Sequence, residues 1–241
     1  MPLIIGHAGA GGEAPENTLA GVRRALAAGV DGIEIDVQLC ADGVPVLMHD
    51  ATADRTTNLT GRIRTLSLAA LQAADCGGGE PVPTLAEVLR EVDGRCTVMC
   101  ELKVEAEDGR GDAALVHAVL QTIAAPDARR WCAVHSFDGA IVRAARHLEP
   151  RVSAALIVGA VYEAGMARML GALLKRHAQA ISVQHTCITP ELVRMAKRQQ
   201  VTLWCWTANH EADWARLVDA GVDGIMTDEP RRLLAFLATR G

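Results

Sequence analysis

Aromatic residues are scarce in this chain: four Trp, two Phe and one Tyr make up 3% of 241 residues. A core built on Ala, Leu and Val instead suits helices packed on a parallel sheet better than an aromatic-rich β-sandwich. No Lys/Arg block stands out and net charge is −5, which argues against nucleic acid as a partner. No apolar run approaches the ~20 residues that cross a bilayer; the richest, 152–162, is too short, so no membrane anchor is expected. The N-terminus shows no basic stretch ahead of its first apolar run, unlike a secretory leader. Seven cysteines with no C-x-x-C pair give neither a disulfide framework nor a zinc ribbon, which fits a reducing cytoplasm. Cys96 and Cys100, four apart on an expected strand, read as core thiols, with a thiolate metal site as the alternative.

What the chain does have is a regular alternation. Apolar, β-branched runs predict strands near 3–6, 31–38, 97–102, 131–136, 152–157, 180–184, 202–207 and 223–227. Amphipathic stretches predict helices near 17–28, 84–93, 112–124, 138–148, 160–177, 189–199, 210–219 and 230–239. Asn17 and Thr18, Asp112, and Thr189-Pro190 mark helix starts, and Gly29 and Gly221 mark helix ends. Eight strand–helix repeats over 241 residues predict a (β/α)8 TIM barrel, with a doubly wound open sheet as the runner-up. Residues 1–241 read as one barrel domain. Residues 50–83, rich in Thr, Asn, Gly and Pro, break the alternation and read as an insertion on one βα loop. The two Ala-Gly-Val-Asp-Gly-Ile phrases at 28–33 and 220–225 read as equivalent helix-to-strand turns.

Four polar clusters ride on or just after strand-like runs: His7, Glu34-Ile35-Asp36, His49-Asp50 and Glu101-Leu102-Lys103. Residues two apart on a strand share a face, so Glu34 and Asp36 point one way and Ile33, Ile35 and Val37 the other. Carboxylates facing a barrel interior are costly unless a cation or a paired Lys or Arg neutralises them. A set of oxygen donors such as Glu34, Asp36 and Glu101 favours a hard divalent cation, Mg²⁺ or Ca²⁺, with Mn²⁺ also admissible, over Zn²⁺. His7 and His49, near the same strand ends, are candidates to move protons. The outline is a metal-assisted hydrolase.

Other residues keep two readings. Asn17 suits the site or a helix cap, and Asp50 orients an imidazole or begins a loop. Trp206 forms an apolar wall or packs at the barrel rim. His135 is a weaker site candidate at another strand end, and His185 is undecided. His117, His147, His177 and His210 fall on helices or their starts, where solvent-facing positions are expected. Gly9, Gly11 and Gly12 form a glycine-rich loop that by itself carries little weight.

Taken together and in order, His7-Ala8-Gly9, Pro15-Glu16-Asn17-Thr18, 32–37 (GIEIDV), 45–50 (PVLMHD), Glu101-Leu102-Lys103, Ser136-Phe137-Asp138, Trp206-Thr207-Ala208-Asn209 and 224–230 (GIMTDEP) resemble the glycerophosphodiester phosphodiesterase family. The resemblance spans residues 7 to 230 and implies a (β/α)8 barrel with a small loop insertion. It also implies Glu34, Asp36 and Glu101 as metal ligands, His7 and His49 as the acid–base pair, and Lys103 as a phosphate contact. The implied substrate is a small glycerophosphodiester such as glycerophosphocholine or glycerophosphoethanolamine, cleaved to an alcohol and sn-glycerol 3-phosphate. Lysophospholipids, another glycerol phosphodiester, or a weakly active phosphate-binding barrel are the alternatives. The last arises from one departure: the family has His-Arg-Gly where this chain has His7-Ala8-Gly9, and that arginine is expected to contact phosphate.

Overall fold

The computed structural model describes residues 1–104, 113–125, 127–159 and 179–240. Its strands are β1 (Leu3–Gly6), β2 (Gly32–Leu39), β3 (Pro45–Leu47), β4 (Thr97–Leu102), β5 (Cys132–Ser136), β6 (Ser153–Val158), β7 (Ala180–Gln184), β8 (Thr202–Trp206) and β9 (Gly224–Thr227). Between them lie α1 (Leu19–Ala28), α2 (Leu68–Gln72), α3 (Leu85–Val92), α4 (Ala113–Ala124), α5 (Gly139–Leu148), α6 (Pro190–Arg198), α7 (Glu211–Ala220) and α8 (Pro230–Ala238). All strands but β3 pair in parallel around a ring in which β1 joins both β2 and β9, so the sheet closes into a (β/α)8 barrel. Closure removes the open-sheet alternative. The helix expected near 160–177 and the start at Asp112 lie outside the described residues, as does His177.

The strand faces divide as alternation requires. Ile33, Ile35 and Val37 are fully buried in the main core, packed outward against the helix layer. Inside the barrel Ile5, Met99, Ala133 and Met226 form a small plug with Trp204 and Trp206 packed against it. Cys96, Cys100 and Cys132 are buried free thiols, and burial pushes their pKa up, for Cys132 to about 12. Their side chains pack within the main core.

Helix ends follow the local chemistry. Thr84 and Glu87 form a reciprocal capping box on α3, and Thr189 caps α6 just ahead of Pro190. Gly29 and Gly221 end α1 and α7 in the left-handed region, at φ of 81° and 79°. Two residues on, Asp31 accepts the Ile4 N–H and Asp223 the Leu203 N–H, each at 2.8 Å. The repeated phrase is thus a turn that ties a helix exit to the start of a neighbouring strand.

Residues 50–83 follow β3, which runs antiparallel on β2. They close over their own apolar nucleus of Ala53, Ile63, Leu71, Ala74 and Val82, joined by Val46 and Met48 from β3 and the residue after it. This packing holds His49, Asp50 and Arg55 at the mouth of the barrel.

Candidate active site

The functional side chains collect at the carboxyl ends of the strands. Strand register lines up Asp36 with Glu101 and Glu101 with His135, so three inward-facing polar side chains stand in one row on β2, β4 and β5. Glu34 sits one layer deeper, beside Met99. Glu34 and Asp36 are each 1% exposed. Burial works against the charge on Glu34, but His135, His7 and the Ala8 N–H, which donates to Oε2 at 3.2 Å, hold its carboxyl well below the usual range. Glu101 goes the other way: burial raises its pKa, against the pull of Lys103.

Lys103, just past β4, places Nζ 2.9 Å from Asp36 Oδ1 and 2.6 Å from Glu101 Oε1. Those two carboxylates raise its pKa despite burial, so it stays a cation rather than an amine nucleophile. Asn17 is a site residue and not the helix cap. Its Nδ2 donates to Asp36 Oδ2 at 2.7 Å and its Oδ1 accepts the Asp36 N–H, while Thr18 takes the cap by accepting from the Gly21 N–H.

Each candidate proton carrier has a carboxylate on Nδ1. His7 Nδ1 lies 2.7 Å from Asp228 Oδ1, leaving Nε2 toward Glu34 Oε2 at 3.9 Å. Asn209 Nδ2 donates to the other Asp228 oxygen at 2.5 Å, and the Asp228 N–H donates back to Asn209. Burial opposes charge on the His7 ring, yet Asp228, Glu34 and Asp36 outweigh it and lift the pKa to about 9. His49 Nδ1 lies 2.7 Å from Asp50 Oδ1, which gives Asp50 the orienting role rather than that of a mere loop start. Arg55 in turn donates Nε to Asp50 at 2.5 Å and both terminal nitrogens to Glu16, at 3.0 and 2.6 Å. Pinned to a partner at Nδ1, each imidazole has Nε2 left for a reacting atom.

The loop that carries His7 is set by close backbone approach. A Cβ at Gly6 would stand 2.0 Å from the Gly9 carbonyl oxygen, so only glycine fits there. Ala8 adopts φ of +48°, a conformation that L-residues seldom take, and its N–H is thereby delivered to Glu34.

Two adjoining cavities share His7 and His49. The outer one, about 420 Å³, is bounded by Ala8, Gly11, Gly12, Glu16, Asp50, Arg55 and Asp228. The inner one, about 190 Å³, reaches Glu34, Glu101, Lys103, His135, Phe137 and Trp206. Trp206 donates its indole N–H to Ser182 O at 3.1 Å and meets Phe137 edge to face at 5.6 Å, which presents an apolar wall to the inner cavity. His185 lies by Asp213 and Arg216, and neither cavity includes it; His117, His147 and His210 are exposed. Among the described residues, the His, Asp, Glu or Cys set close enough to share one ion is Glu34, Glu101 and His135.

Several participants escaped the sequence reading. Asp228 stood in a quoted motif without a role, and it is joined to a residue 221 positions away. Arg55 lies in the insertion, where no periodicity singles it out. His135 was ranked low, and only strand register shows it beside Glu101.

Comparison with known proteins agrees with this geometry. The glycerophosphoryl diester phosphodiesterase family model matches residues 7–232. A glycerophosphodiester phosphodiesterase of Caldanaerobacter subterraneus subsp. tengcongensis is 32% identical over 247 residues, covering 99% of each chain. A solved Oleispira antarctica phosphodiesterase, in complex with the product sn-glycerol-3-phosphate, superposes with a TM-score of 0.86 at 26% identity over 99% of this chain and 97% of that one. A glycerophosphodiester phosphodiesterase of Agrobacterium tumefaciens gives a TM-score of 0.82 at 27% identity, over 98% of this chain and all of that one. With the barrel closed and the family match running from His7 past Asp228, the chain belongs to the glycerophosphoryl diester phosphodiesterase family, a family of phosphoric diester hydrolases.

Proposed function

We propose that this enzyme hydrolyses small glycerophosphodiesters, such as glycerophosphocholine or glycerophosphoethanolamine, to an alcohol and sn-glycerol 3-phosphate. Glu34, Asp36 and Glu101 hold a divalent cation in this scheme, and His7 and His49 move the protons. The observation that carries the reading is the charge of the cleft. Among the described residues, Glu16, Glu34, Asp36, Asp50, Glu101 and Asp228 line the two cavities, against Lys103, Arg55 and the imidazoles of His7, His49 and His135. A phosphodiester anion does not enter such a field unaided, and the buried Glu34 Oε1, which lacks a hydrogen-bond partner, is a ready ligand atom for the cation that would admit it. When bound, the cation withdraws charge from a phosphate oxygen and lowers the pKa of a nearby hydroxyl.

The chain's own groups do the rest. Asn17 and Lys103 fix Asp36, and the Lys103 ammonium, between Asp36 and Glu101 at the strand ends, would be the lysine available to the phosphate. Arg55 is the guanidinium lining the outer cavity, and it stands in for the arginine that Ala8 replaces. His7 and His49 share the two proton transfers: one takes the proton of the attacking hydroxyl, either water or the glycerol C2 hydroxyl, and the other gives a proton to the alkoxide as its bond to phosphorus breaks. Attack by the C2 hydroxyl is entropically favoured and gives a cyclic phosphate first. Trp206 packs on the glycerol carbons. The free cysteines fit a reducing cytoplasm.

A substrate panel tests this. Release of choline or ethanolamine is expected from glycerophosphocholine and glycerophosphoethanolamine, at a kcat/KM at least tenfold above choline release from lysophosphatidylcholine, whose other product is a lysophosphatidate and not glycerol 3-phosphate. The reverse order moves the chain to lipid substrates; turnover of none of them moves it to another glycerol phosphodiester or to a binding role.

A further inference from the structure

One buried titratable side chain has no task in the scheme above. His135, on β5, is 2% exposed, and among the described residues neither ring nitrogen has a hydrogen-bond partner. Buried polar groups are nearly always paired, so an orphaned imidazole in a barrel interior needs a reason. Its surroundings supply one. Nε2 lies 3.5 Å from Glu34 Oε1, another buried atom without a partner, in a geometry that makes no hydrogen bond. Register sets His135 beside Glu101 on the adjacent strand. One ligand atom from each of Glu34, Glu101 and His135 lies within 4.8 Å of the other two. Donors held about 2.0–2.3 Å from a shared ion stand roughly 3–4.5 Å from one another, so these side chains need little adjustment to enclose one.

We propose that His135 is a nitrogen ligand of the site's divalent cation and biases the site toward a first-row transition ion such as Mn²⁺ over Mg²⁺ or Ca²⁺. The inference rests on reading the strand-end carboxylates as a metal cradle and deepens it. Mg²⁺ and Ca²⁺ are hard ions that select oxygen donors, whereas an imidazole in the set shifts preference toward first-row transition ions, among which Mn²⁺ is the one that also suits carboxylate oxygens. The polar contact of His135 among the described residues is the 3.5 Å approach to Glu34, and it makes no hydrogen bond to a carbonyl there.

The test is binding, not turnover. Metal-stripped protein is titrated calorimetrically with Mn²⁺, Mg²⁺ and Ca²⁺, and electron spin-echo spectra of the Mn²⁺-loaded protein are searched for ¹⁴N modulation. Mn²⁺ is expected to bind at least tenfold more tightly than either hard ion. The modulation is expected in the wild type, in His7→Ala and in His49→Ala, and to vanish in His135→Gln together with a tenfold or greater loss of Mn²⁺ affinity. Should His135→Gln fail to fold, modulation that persists in both other variants still assigns the nitrogen, and its absence from the wild type still refutes it. Mn²⁺ bound without nitrogen modulation, or equally tightly by folded His135→Gln, overturns the role of His135 and leaves the carboxylate cradle standing. Failure to bind any of the three ions overturns the cradle and this inference together.

Discussion

Replacing His7 with alanine is expected to lower turnover on glycerophosphocholine by ~10²- to 10⁴-fold, the usual contribution of a positioned proton carrier. KM should change little, because the phosphate is held by other groups. The ring is partly exposed and its loop is fixed by backbone contacts at Gly6 and Ala8, so the barrel should fold as before. Asp228→Asn should fall between wild type and His7→Ala, since it leaves the imidazole in place but removes its anionic partner. Stability carries a second signature. The pKa of His7 rises from 6.5 to about 9 in the metal-free fold, so the folded state binds its proton more tightly than the unfolded chain. That stabilisation is fully present below pH 6.5 and is lost as pH rises through about 9. Metal-free wild type should therefore melt above His7→Ala at low pH, with this part of the difference gone above pH 9. Near-normal turnover in the variant would remove His7 from the mechanism.

Glu34→Gln should have the next largest effect, because it removes one charge from the cradle while keeping the shape. The amide oxygen can still accept the Ala8 N–H, so near-UV circular dichroism should be unchanged. Divalent-ion affinity should fall on the order of 10²-fold, and turnover with it. Removal of this charge also removes one of the causes that raise the pKa of His7. An NMR titration of the metal-free variant should accordingly find His7 deprotonating below 9. Asp36→Asn is a less clean probe, since Asp36 also binds Asn17 and Lys103. Unaltered metal affinity in Glu34→Gln would move the ion to other residues.

The barrel could be read from the sequence because both faces of its strands are buried and two helix exits, at Gly29 and Gly221, are punctuated by glycine. Parity along β2 gave the inward face of Glu34 and Asp36 directly, since alternation needs no knowledge of neighbouring strands. Closure and register are different. Which residue of β4 stands beside Asp36, and which of β5 beside Glu101, depends on pairing between distant segments, and that is why His135 was undervalued. Asn17 was ambiguous because an Asn ahead of a helix satisfies a cap as readily as a carboxylate. Arg55 was hidden because its loop takes its shape from a small apolar nucleus around Ile63 and Leu71 rather than from any repeating pattern.

The most direct measurement follows glycerol 3-phosphate release from glycerophosphocholine by protein stripped with EDTA and then resupplied with Mn²⁺, Mg²⁺ or Ca²⁺. Loss of turnover on stripping and its return with at least one of these ions is the expected result. Full turnover in the stripped protein, with the ion shown to be gone, would contradict the account: the carboxylates at the strand ends would then serve the fold and not the reaction.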